Sequence, residues 1–76
     1  MNELVSPDEI GRRLRLLRGI RTRTGVAREI GISYSAISKY EDGLKVPNDA
    51  TKVKIANYYH ASVQSIFFDP QNYETT

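Results

Sequence analysis

The chain has 76 residues, no cysteine and a net charge of +2 at pH 7. That length allows one small domain near the lower limit at which a hydrophobic core holds without help, and the lack of cysteine excludes disulfides and thiolate metal sites, as in a reducing compartment. No apolar run approaches the roughly 20 residues that span a bilayer, and the opening MNELVSPDEI lacks a basic region followed by an apolar one, so a cytoplasmic protein is expected.

Ser6, Pro7, Asp8 and Glu9 read as a helix start, with Ser6 as N-cap, Pro7 at the first helical position and Glu9 completing a capping box. Ile10, Leu14 and Leu17 then recur at the spacing of a buried stripe, with Arg12, Arg13, Arg15 and Arg18 on the other faces and Gly19 at the end. Thr22 can cap a second helix over 23–30 with Val26, Ala27 and Ile30 inward and Gly31 stopping it. Gly25 inside that helix costs roughly 1 kcal/mol against alanine and leaves a later start, capped by Thr24, as the alternative. Ser33 caps a third helix over 34–41 carrying Ile37 and Tyr40 inward, with Gly43 as terminator.

Pro47 and Asn48 start a fourth helix over 49–59, with Val53, Ile55, Ala56 and Tyr59 as its candidates for burial. Ser62 caps a last, short one over 63–67, ended before Pro70, and QNYETT has no periodicity and is expected to fray. There is no alternating pattern of strand length, so the fold class is all-α. The expected organisation is an N-terminal extension over 1–5, a helical domain over 6–68 and a flexible tail over 69–76. Helices this short are marginal alone, so packing must hold them.

Charge is unevenly laid out. All eleven Lys and Arg residues fall between Arg12 and Lys54, where the acids are only Glu29, Glu41, Asp42 and Asp49, so that segment carries +7. A block of this kind is the footprint of a protein that meets a polyanion; a solvated arginine-rich helix face is the other reading.

The second and third helices repay counting as a unit from Arg23. Ala27 is small where the two helices approach, Gly31 permits a left-handed turn, and Ile37 inserts into the core. With these residues, and with IGRRLRLLR, VAREIGIS, SAISKYEDG and KIANYYHASVQSIF in that order, the chain over about 10–67 resembles the Cro and lambda-repressor-like helix-turn-helix regulators, the XRE family.

The resemblance implies a compact five-helix domain that binds double-stranded operator DNA and controls transcription. It places Ser33, Tyr34, Ser35, Ser38 and Lys39 on the groove-facing side of the third helix, where hydroxyls and a small side chain let the helix sit close to base edges. Arg23 stands where the family commonly has glutamine and would supply a forked phosphate contact; Thr24 is counted with it. Lys45 and Asn48, before the fourth helix, are further DNA contacts, with Lys52 behind them. Glu41 is read as structural, pairing with Arg15 or Arg18. Arg21 replaces a usual apolar residue, a gap that Ile20 is expected to fill.

For a partner chain, Phe67 or Phe68, with Val63 or Tyr58, are the candidates for a homodimer surface; burial of both phenylalanines at the core edge is the alternative. His60 has no companion for zinc, and no nucleophile and base arrangement is recognisable, so neither metal, cofactor nor catalysis is expected. The expected function is a sequence-specific regulator, a repressor acting as a dimer on a near-palindromic operator. A module that binds a second regulator protein through the same fold is the alternative.

Overall fold

Five short polar side chains start five helices. In the computed structural model, which describes residues 3–69, the helices are α1 (Pro7–Arg18), α2 (Arg23–Ile30), α3 (Tyr34–Glu41), α4 (Asp49–Tyr58) and α5 (Val63–Phe67). Ser6, Thr22, Ser33, Asn48 and Ser62 each accept a hydrogen bond from the backbone N–H three residues on, at 2.9–3.1 Å, satisfying one of the donors a helix start leaves open. Thr22 rather than Thr24 is therefore the cap of α2. At α1 only half of a capping box forms, because the Glu9 carboxylate turns forward to Arg12 and Arg13.

The stops follow the glycines. Gly19 ends α1 at φ 61°, and Gly31 ends α2 in the left-handed region at φ 91°, its N–H donating to the Ala27 carbonyl. At α4 no glycine is available: Tyr59 is the C-cap and His60 takes φ 55° in its place. Helix α4 thus ends one residue before the sequence predicts.

The core gathers Ile10 and Leu14 of α1, Tyr40 of α3, Ile55 and Ala56 of α4, and Ile66 and Phe67 of α5. A second cluster, Val26, Ala27 and Ile37, sits between α2 and α3, so the small Ala27 does mark their approach. Leu17, Ile30 and Tyr59 pack against the main cluster half-buried.

Two burial expectations are corrected. Val53 is exposed, and Lys52 is the buried residue of that helix at 7%, because the inward stripe of α4 runs 52, 55, 56, 59 and Val53 lies off it. The Lys52 ammonium lies 3.3 Å from Asp49 and over the Phe68 ring, so the stem fills core space while the charge reaches a partner. Ile20 fills no gap; it is fully exposed, and Arg21 itself lies over the rings of Tyr58 and Tyr59 at 5.5 and 5.6 Å.

Residues 3–5 are not a free extension. Leu4 forms an isolated antiparallel bridge with Phe68, the Val5 N–H donates to the Phe67 carbonyl at 3.1 Å, and the Asp69 N–H donates to Glu3 at 2.8 Å. Beside it, Arg13 donates to the carbonyls of Ser65, Ile66 and Phe68, satisfying the open end of α5 from α1. The frayed tail expected of QNYETT lies outside the described residues.

Candidate nucleic-acid interface

Helix α3 is held by its two ends and its inner face, leaving one face open. Ile37 and Tyr40 point into the core, Ser33 caps the start, and Tyr34, Ser35 and Lys39 are exposed, with Tyr34 at 55%. No acid stands in the first turn of α3, so its positive end is unopposed there, whereas the start of α2 has the Glu41 and Asp42 carboxylates beside Arg23. Thr24, at the start of α2, and Lys45, in the loop after α3, are exposed, and so is Asn48, whose side-chain oxygen is already engaged by the Thr51 N–H.

Ser38 departs from the expected row. It is half-buried, and its Oγ is turned inward without a hydrogen-bond partner among the described residues, so the hydroxyl does not face outward with Ser35.

At the other end of α3, Glu41 is fully buried, with a carboxylate that accepts from Arg18 Nε at 2.9 and 3.1 Å and from Arg23 Nε at 2.9 Å. Arg15 donates to its main-chain carbonyl. Buried carboxylates need such partners: of the two the sequence suggests, Arg18 takes the carboxylate and Arg15 only the carbonyl, and Arg23 is an additional partner. Arg23 also lies fork-on against Asp42, Nη2 to Oδ1 at 2.9 Å and Nη1 to Oδ2 at 3.5 Å, and its side chain is only 23% exposed. Hydrogen bonding to Asp42 raises the Arg23 pKa further, so the guanidinium stays charged. The free phosphate fork expected at this position is therefore engaged within the protein.

Most cations of the +7 block are engaged within the protein. Arg12, Arg13, Arg18, Arg23 and Lys52 are in ion pairs. Arg15 and Arg21 are bonded to carbonyls or tyrosine. Among the described residues, Arg28, Lys39, Lys45 and Lys54 are the cations left outside such contacts, and Lys39 and Lys45 lie on and directly after the open helix.

Phe67 is removed from the proposed dimer surface: at 0% exposure inside the core it has no area to offer a partner. Phe68 and Val63 are half-buried, and Tyr58 donates to Glu29 across the α2–α4 contact and accepts from Arg21 of the α1–α2 connection.

Sequence reasoning missed Gly11 and Asp42. A Cβ on Gly11 would overlap the Glu41 carbonyl oxygen and stand 3.0 Å from its carbon. A glycine inside an arginine-rich helix is the signal that could have found it, since it is unfavourable there without a packing reason. Among the described residues, no group of three or more His, Cys, Asp and Glu could hold a metal ion, and no helix is long and apolar enough to cross a membrane.

Two helices joined by a three-residue turn at Gly31, packed on each other through Val26, Ala27 and Ile37, the second with an open polar face, define a helix-turn-helix DNA-binding domain. The chain belongs to the helix-turn-helix domain family, whose model matches residues 9–65. That agrees with the resemblance to Cro and lambda-repressor-like regulators. No curated protein and no solved structure gives a significant match.

Proposed function

We propose that the chain is a sequence-specific transcriptional regulator, a repressor that lays α3 in the major groove of a near-palindromic operator and binds it as a homodimer. The observation that carries the reading is the open face of α3: Tyr34 and Ser35 exposed beside the capping Ser33, with Lys39 on the same short helix and no acid in its first turn. Serine hydroxyls donate or accept at base edges, the Tyr34 ring suits thymine methyls, and Lys39 reaches guanine or phosphate. Lys45, Asn48 and Thr24 flank that face and serve the backbone, which fixes register without reading sequence. Ser38 contributes only if its side chain rotates outward.

Two copies would set their recognition helices about one turn of DNA, roughly 34 Å, apart. Phe68 and Val63, half-buried next to the Leu4 bridge, are the surface proposed for the second copy. Titration of a mixed-sequence duplex tests the reading. Lys45→Ala should weaken binding to all sequences and reduce the salt slope by about 1, whereas Ser35→Ala should change preference at particular bases; two silent variants would remove this docking.

The second reading, a module that binds another regulator protein, is favoured by two exposed apolar side chains, Leu16 on α1 and Ile20 just past its Gly19 cap. Under it, DNA affinity would be weak and without sequence preference.

A further inference from the structure

Arg23 occupies the first position of α2, the positive end of a helix, while Glu41 and Asp42 occupy the last position and the C-cap of α3, the negative end of another. Each charge is unfavourable where its own helix puts it. The contact between them cancels both: Nε on the buried Glu41, and the two terminal nitrogens on Asp42, which is itself 47% exposed. Most of the N–H donors of Arg23 are thereby taken up beside the face that would meet phosphate.

We propose that Asp42 is a specificity-determining positioning residue, which holds the Arg23 fork against the end of α3 and off the phosphate backbone. The inference rests on the DNA-binding reading above. A released Arg23 would be a forked donor at the start of α2, where backbone amides already favour phosphate. Such a contact adds affinity for every sequence alike and so lowers the ratio of specific to nonspecific binding. Held by Asp42, the same side chain ties the start of α2 to the end of the recognition helix. Glu41 cannot do this alone, because it engages one nitrogen and leaves the fork free to swing.

The test is a double-mutant cycle on the full chain, read as affinity for a mixed-sequence duplex of about 20 base pairs between about 50 and 200 mM salt. Asp42→Asn should bind several-fold more tightly at the low-salt end, with a salt slope steeper by about 1, as one added phosphate contact requires. Most of that gain should vanish when Asp42→Asn is made in an Arg23→Gln background, and Arg23→Gln alone should leave the slope unchanged.

A slope flattened by about 1 in Arg23→Gln would mean that the fork already lies on phosphate and would overturn the proposal, as would a full Asp42→Asn gain surviving without Arg23, which is plain charge repulsion. If Arg23→Gln does not fold, the NMR signal of the Arg23 Nε–H in the unaltered protein decides: it should stay in place when duplex is added, and a large shift on binding refutes the tether. Failure of the unaltered protein to bind any duplex would instead remove the DNA-binding reading, and this inference with it.

Discussion

Gly11 lies directly against the Glu41 carbonyl, the α1 backbone pressed onto the last turn of α3 with no room for a β-carbon between them. Gly11→Ala should therefore cost about 2 kcal/mol, the range for forcing an extra methyl into a packed contact, despite alanine's better helix propensity. Gly25→Ala is the control: its Cβ would meet only the Thr22 hydroxyl, at 3.1 Å, so a small change of either sign is expected. Urea unfolding of both variants measures the contrast, and equal midpoints would contradict this crossing of α1 and α3.

Glu41 joins three helices, with Arg18 from α1 and Arg23 from α2 converging on one carboxylate of α3. Removing one member of a buried pair costs about 3–5 kcal/mol when both partners are dry; here the arginines keep some solvent, so Glu41→Gln should cost roughly 2–3 kcal/mol. In a domain of this size that lowers the Tm by about 8–24 °C. Calorimetry showing a shift under about 3 °C would mean that the network adds no stability.

His60 has the only positive φ among the described non-glycine residues. An L-residue in the left-handed region is unfavourable by about 1–2 kcal/mol, and the imidazole is exposed. His60→Gly should stabilise the protein by about 0.5–1 kcal/mol once the greater freedom of glycine in the unfolded chain is deducted. A lower unfolding midpoint would show that the imidazole makes a contact the backbone geometry does not reveal.

How much of this was legible in the residues follows from the range of the interaction. Caps and stops are local, and Ser6, Thr22, Ser33, Asn48 and Ser62 could be read within a few residues of each helix start. The inward stripes of α1 to α3 were legible for the same reason. What failed depended on contacts far apart in sequence: the burial of Phe67, the exposure of Ile20, the pairing of residues 3–5 with 67–69. At the candidate interface, Tyr34, Ser35 and Lys39 are exposed on α3, and their contact with DNA is the proposal made above. Arg23 misled because its type, fit for phosphate, is equally fit for a carboxylate, and only the fold brings Asp42 to it.

Acid should loosen the first helix. Hydrogen bonds from Arg12 and then Arg13 hold the Glu9 carboxyl down from 4.5 to about 2. The depressed folded value means that this stabilisation is present above pH 4.5 and is lost as pH falls toward 2. Glu9→Gln should therefore show a weaker loss of stability across that window, measured as Tm against pH. A parallel pair of curves would mean that the pairing does not persist in solution.

Reading of base sequence by α3 is tested most directly by selection of bound duplexes from a random pool at about physiological salt. The expected result is a near-palindromic site with half-sites about one helical turn apart, enriched by the unaltered protein and altered at particular bases by Ser35→Ala. A bound pool with no sequence preference would contradict it and leave the fold as a surface for a protein partner.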